Sequence, residues 1–138
     1  MYIAFNNQLL PNDKKISLRD FDKIKITWDK EYGQYYTLMM YDIDTPSKAN
    51  PVNSPFMHYL IVNSDKIIIS MMPPSPPPMS GPHRYYIELY GQKDIIETGQ
   101  TQRVNFQVAQ FVAKNNLAFM ERQIIIADPT TNIFYKIK

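Results

Sequence analysis

The sequence predicts a mainly β domain, a sandwich with one clear amphipathic helix and few peripheral helices. Three observations carry that prediction. Short runs of alternating or β-branched residues recur between turn residues. Only one segment repeats its apolar residues at helical spacing. An uncharged stretch dense in proline, which neither a helix nor an interior strand tolerates, separates two of the runs.

Taken in order, "DKIKITWD" alternates with Ile24, Ile26 and Trp28 on one face. "YYTLMMYDI" sets Tyr36, Leu38, Met40 and Asp42 against Thr37, Met39, Tyr41 and Ile43. "FMHYLIVN" sets Phe56, His58, Leu60 and Val62 against Met57, Tyr59 and Ile61. The continuous run "KIIISMM" predicts a strand buried on both faces. In "MMPPSPPPMSGP", six prolines within positions 73 to 82 predict a stiff, extended loop. "HRYYIELYG" groups His83, Tyr85, Ile87 and Leu89 on one face of the next strand. In "TQRVNFQVAQFVAKNN", Val104, Val108, Phe111 and Val112 predict an amphipathic helix of about three to four turns, closed by Asn115 and Asn116. "ERQIIIAD" is a further strand, and the last ten residues carry too little pattern to assign.

At 138 residues the chain is long enough for one domain, residues 1–138, with its own core. A net charge of +2, with basic residues scattered among acidic ones, lacks the basic stripe that nucleic acid requires. No cysteine is present, which removes disulfides, thiolate catalysis and cysteine-bound metal and fits a reducing compartment. The first fifteen residues have no secretory pattern, and no stretch reaches the roughly 20 apolar residues of a membrane span. The expectation is a cytoplasmic protein. Its richness in Ile, Lys, Asn and Tyr is what an AT-rich genome encodes, as in a virus or parasite.

Three ionisable residues sit at strand ends in otherwise apolar sets: Asp42 closes one strand, and His58 and His83 each open another. A lone buried charge costs several kcal/mol, so such groups pair or neutralise, and convergence of these three would make one site. Asp44, in "DTPS", reads as a turn former capping backbone N–H groups. Two histidines and a carboxylate also admit a metal triad, although no short metal-ligand spacing links them. No serine lies in the G-x-S-x-G elbow of a hydrolase.

Two motifs resemble the signatures of the phosphatidylethanolamine-binding protein family. "DIDTPSKANPVNSPFMHYLIVN" (42–63) is similar to its D-P-D-x-P-S signature followed by a histidine-led strand, and "GPHRYYIELYGQ" (81–92) to its G-x-H-R-Y signature. "RVNFQVAQF" is similar to the family's R-x-x-F segment. The resemblance implies a β-sandwich with a shallow anion pocket lined by Asp42, Thr45, Pro46, Phe56, His58, Ser75, Gly81, His83 and Tyr85. Asp44, Arg84 and Pro55 would brace it, Arg84 by pairing with Asp44, and Thr45–Pro46 and Ser54–Pro55 fall where the family uses cis bonds. The departures are Ile43 between the two acids, Ser75 and Met79 in place of common glycines, and a chain ending without the helix that gates the pocket in longer relatives.

The expected function is a non-catalytic binding module without cofactor, taking a phosphate or phosphorylethanolamine headgroup and regulating signalling or protein complexes. Its expected partners are a phosphate-bearing headgroup or phosphorylated protein and a kinase or other signalling protein. Peripheral membrane contact is compatible with this reading, and a monomer is expected. The alternatives are a metal-dependent enzyme using His58, His83 and Asp42, and an interaction protein with a vestigial pocket that makes contact through its proline-rich loop.

Overall fold

In a computed structural model, described for residues 1–97 and 102–138, two antiparallel sheets pack face to face. The smaller sheet runs β2–β1–β4, from β1 (Tyr2–Phe5), β2 (Gln8–Leu9) and β4 (Ile24–Thr27). The larger contains β3 (Ile16–Ser17), β5 (Tyr35–Asp42), β6 (Phe56–Val62), β7 (Lys66–Ile69), β8 (His83–Gln92), β9 (Ala118–Asp128) and β10 (Ile133–Ile137). Its order is β3–β10–β9–β8–β5–β6–β7, which places β5 between β6 and β8.

Both faces of the larger sheet are covered, and the alternation along β5 divides its side chains between two cores. Tyr36, Leu38 and Met40 join Tyr85, Ile87 and Leu89 of β8 against Ile3, Phe21 and Trp28 beneath the small sheet. Met39 and Tyr41 point the other way, toward Met57, Leu60, Ile96, Phe106 and Leu117. The helix α1 (Val108–Lys114) lays Val108, Phe111 and Val112 on this second core. Each fully buried aliphatic side chain contributes about 1.5–3 kcal/mol, so two-sided burial makes β5 and β8 the rigid centre from which the site is built.

Several elements differ from the sequence expectation. α1 is shorter than the apolar spacing implied: Val104 lies in a turn at 39% exposure. Asn105 there adopts a left-handed φ of 54°, and the Phe106 N–H bonds the Pro55 carbonyl at 2.9 Å, which turns Phe106 into the core before the helix begins. Thr101, at the start of that quoted segment, lies outside the described residues. The C-terminal end is closed by Asn115, whose Nδ2 donates to the Phe111 carbonyl at 2.9 Å, and by Asn116 at φ 51°.

The apolar run after position 65 forms β7, which is an edge strand rather than a doubly buried one, with Ile67 at 57% exposure. The chain end supplies β10, paired along β9. A 3₁₀ turn over Leu18–Lys23, which carries no helical spacing long enough to reveal it, inserts Phe21 edge-on against Phe134 at 5.0 Å.

Candidate functional site

The site lies where β5 ends and β6 and β8 begin, and a β-bulge makes it possible. Met40 pairs with Tyr59 and Tyr41 with Met57, so His58 is the extra residue in β6. Strict alternation would place His58 with Leu60 and Val62 in the second core. The bulge instead turns it to the opposite face, where its ring packs 5.1 Å from Tyr85 and 5.1 Å from Phe56. Asp42 is directly opposite both Tyr85 and Phe56 in the two ladders, so the four residues share one face.

Asp42 and His83 form a closed pair behind this surface. Asp42 is 3% exposed; its Oδ1 accepts the Asp44 N–H at 2.7 Å and its Oδ2 meets His83 Nδ1 at 2.7 Å. The other nitrogen of His83, Nε2, meets Ser80 Oγ at 2.9 Å, and Ser80 Oγ lies 2.6 Å from the Pro77 carbonyl. A carbonyl only accepts, so the Ser80 hydrogen is committed to Pro77 and His83 Nε2 must be the donor to Ser80. A second hydrogen lies between Nδ1 and Asp42. With two hydrogens for one imidazole and one carboxylate, the pair is net neutral, and the acid brings no net charge to the site.

His58 is arranged differently. Its Nδ1 donates to the Met72 carbonyl at 2.6 Å, and no partner for Nε2 is found among the described residues. Burial lowers the pKa of His58 below the ordinary value; the Met72 carbonyl and Asp42 oppose that shift, while Arg103 and His83 add to it. Neutral His58 therefore presents a lone pair at Nε2, and protonated His58 an N–H donor. Burial and the nearby Asp42 push the Tyr85 phenol up, so its hydroxyl keeps its proton across the biological range.

The cavity in front of these groups measures about 140 Å³ and is lined by Asp42, Thr45, Phe56, His58, Ser75 and Tyr85, with Met72, Pro76 and Pro77. Three residues expected in its wall are not there. His83 is fully buried behind Asp42; Pro46 follows the cis Thr45 bond outside the lining; and Gly81, at φ 80°, shapes the turn into β8. The Ser54–Pro55 bond is also cis. The chain end does not line the cavity, since β10 sits on the far side of β9 from β8.

Asp44, only 1% exposed, receives the Arg84 backbone N–H at 2.8 Å and its guanidinium at 2.9 and 2.8 Å. Burial alone would raise the Asp44 carboxyl pKa, but these bonds outweigh it and hold the group below the usual carboxylate range. The turn-capping expected of Asp44 is in fact made by Asp42 Oδ1. Arg103 has a role that its spacing to Phe106 hinted at but did not specify. Its guanidinium bonds the Met57, His58 and Ser70 carbonyls at 3.0, 3.3 and 2.8 Å and so pins the bulged strand. Ser80, three residues before His83, carried no signal beyond that proximity.

Among the described residues, no group of three or more His, Cys, Asp or Glu is placed to hold a metal ion, and no helix is long and apolar enough to cross a membrane. A larger groove of about 400 Å³ runs beside α1, lined by Gln102, Asn105, Phe106, Gln107, Gln110, Phe111, Lys114 and Asn115. It lacks the buried, mutually oriented ionisable groups that mark the smaller cavity as the candidate site.

No family model matches the chain. A phosphatidylethanolamine-binding protein homologue of Acanthamoeba polyphaga mimivirus is 38% identical over 63 residues, covering 45% of this chain and 44% of that protein. The solved carboxypeptidase Y inhibitor, in complex with its cognate proteinase, superposes with a TM-score of 0.63 at 23% identity, covering 75% of this chain and 64% of that one. The phosphatidylethanolamine-binding protein of Plasmodium vivax superposes with a TM-score of 0.56 at 18% identity, covering 83% and 69%. The chain spans about half the length of the curated relatives it matches.

Proposed function

We propose that this chain, a relative of the phosphatidylethanolamine-binding proteins in sequence and in fold, is a non-catalytic module that holds one small anionic group, a phosphate or the phosphate of phosphorylethanolamine. The observation that carries this reading is the free Nε2 edge of His58 beside a carboxylate already neutralised by His83. An anion approaching Asp42 meets no net negative charge. It can take hydrogen bonds from protonated His58 and from the hydroxyls of Thr45 and Ser75, against a wall formed by the Tyr85 phenol.

The cavity's size supports a single phosphoryl group. About 140 Å³ is well below the ~300–1,000 Å³ typical of pockets that enclose a drug-sized ligand. A larger molecule would place only its phosphate here, with the remainder outside, as suits a headgroup or a phosphorylated side chain of a signalling partner. The non-catalytic reading is supported by the engagement of both Asp42 oxygens and by the lack, among the described residues, of a histidine nitrogen bonded to the Thr45 or Ser75 hydroxyl.

The test is calorimetric titration of the metal-stripped protein with inorganic phosphate and with phosphorylethanolamine, alongside His58→Ala. Saturable binding to one site, weakened at least tenfold in the variant, is expected. Binding unchanged in His58→Ala, or none in the parent protein, would overturn the reading. Phosphoester turnover lost with His58 would overturn the non-catalytic assignment.

A further inference from the structure

The sequence contains three Ser/Thr-Pro dipeptides, Thr45-Pro46, Ser54-Pro55 and Ser75-Pro76. Thr45 and Ser54 are half-buried, whereas Ser75 is exposed and also lines the anion cavity. Its setting is unusual for a cavity wall. Positions 71 to 77 form neither helix, turn nor bridge, every proline ring fixes its own φ near −65°, and each residue preceding a proline is driven to extended backbone. Pro74 is buried and anchors the segment, while Pro73, Ser75, Pro77 and Pro78 face outward. Ser75 is thus a hydroxyl on a pre-extended, proline-flanked, solvent-accessible strand, the form in which protein kinases accept substrates.

We infer that Ser75 is a phosphorylation site for a proline-directed serine/threonine kinase, and that its phosphoryl group occupies the adjacent cavity as an internal ligand. This rests on the anion-binding reading above and goes further, because it makes occupancy of the cavity a property of the chain's own covalent state.

The chemistry is a simple transfer. The bond between the γ-phosphorus of a nucleoside triphosphate and its bridging oxygen breaks, and a bond from that phosphorus to Ser75 Oγ forms. The diphosphate leaves, and the hydroxyl proton passes to the kinase's own aspartate. The product carries about −1.5 to −2 charge on three acceptor oxygens. Those oxygens would lie at the mouth of a cavity lined by the Thr45 hydroxyl and by His58, whose Nε2 becomes a donor once protonated, with the Tyr85 phenol held toward Asp42 beside them. The groups facing His58 are Asp42, neutralised by His83, the Met72 carbonyl, Tyr85 and Arg103. A tethered phosphate competes at an effective concentration of order millimolar, so free anions are displaced.

The experiment uses the whole chain in two forms. In the first, purified protein is incubated with a proline-directed kinase and magnesium ATP and read by mass spectrometry. One phosphate at Ser75, absent in Ser75→Ala, is expected. Modification of a peptide of residues 71–80 but not of the folded chain would overturn the proposal.

In the second, phosphoserine is incorporated at position 75 and followed by phosphorus NMR and by phosphate titration. A resonance displaced from that of the phosphopeptide, with free phosphate affinity reduced at least tenfold, is expected. A peptide-like resonance with undiminished phosphate binding would overturn the proposal and leave the anion pocket standing. Failure of the unmodified chain to bind phosphate would instead remove the pocket itself.

Discussion

The larger sheet buries two clusters built around carboxylates, one on each face, and they are finished differently. On the second face Glu88, 1% exposed, accepts the Tyr41 and Tyr90 hydroxyls at 2.8 Å each on Oε1, while Arg122 bonds Oε2 at 2.7 Å. Arg122 also stacks 4.4 Å over the Tyr86 ring; among the described residues no buried side-chain polar atom of this cluster lacks a hydrogen-bond partner, and none of its members lines the cavities described above. On the first face Asp42 and His83 are as fully engaged, but His58 beside them has, among the described residues, no partner for Nε2 and lines the cavity. Burial and ionisability are common to both clusters; an unused hydrogen-bonding edge next to a cavity belongs, among the described residues, to one. Completeness is what a purely structural role of the Glu88 cluster requires, and the open edge of the His58 cluster is what the proposed anion site rests on.

That contrast can be broken most directly at Glu88. Glu88→Ala strands two buried phenols and Arg122 and should cost about 3–5 kcal/mol in urea unfolding, the loss typical of breaking a buried ionic network. Phosphate affinity of the protein that remains folded should be unchanged. A loss below about 1 kcal/mol would show that the Glu88 cluster is not the tighter structure.

Next in size is Arg84→Ala. It removes two of the three bonds to buried Asp44, but the Arg84 guanidinium is itself 40% exposed, so screening reduces the expected loss to about 1–3 kcal/mol. Asp44 has a depressed folded pKa, so its contribution is present above the ordinary aspartate range and is lost as pH falls through the folded value. The gap between parent and variant should therefore narrow in acid. A gap independent of pH would remove the ion pair from the explanation.

A third prediction sharpens the open side. His58 has a lowered folded pKa, so the unfolded chain binds more protons below about pH 6.5 and stability should fall there as pH drops. Anion binding should move oppositely, strengthening as pH falls because protonation turns His58 Nε2 into a donor. Sulfate, which keeps its charge over this range, is the suitable probe, and His58→Gln should flatten both profiles. Sulfate affinity that stays level from about pH 5 to 8 would mean that the hydroxyls alone hold the anion.

The smallest effect is expected at Met79, 97% exposed, at φ 65° and two residues beyond the last proline that lines the cavity. Met79→Gly relieves about 1–2 kcal/mol of left-handed backbone cost but frees the unfolded chain by about 0.5–1 kcal/mol. A net gain of about 0.5 kcal/mol or less, with phosphate affinity unchanged, is predicted from thermal unfolding and titration.

The sequence was most readable where a single rule governed. The alternation through β5, its Asp42 included, could be read because both faces of that strand are apolar and unbroken. His83 could be placed on the face of Tyr85 for the same reason. His58 was legible as a site residue but not on the correct face, because a bulge is a one-residue accommodation between strands that leaves no trace in the hydrophobic period of either. The Ser80–His83 bond and the Met72 carbonyl were hidden for another cause: they depend on how a proline loop folds back in space. The helix was overextended because Val104 and Val108 share a spacing that the left-handed turn at Asn105 interrupts. β10 was missed since only five residues form it, and their pairing to β9 rather than their own pattern holds them in place.

The bulge in β6 also has a consequence for how the chain can change over evolutionary time. Because His58 faces the cavity only through the extra residue of the bulge, deleting Met57 would restore regular pairing with β5, set His58 opposite Tyr41 and so rotate the histidine into the second core. The strand would gain a regular ladder, and the cavity would lose the His58 edge. A descendant selected solely for durability has that single-residue exit available, so persistence of the irregular strand across divergent sequences would record selection for occupancy of the cavity over soundness of the sheet.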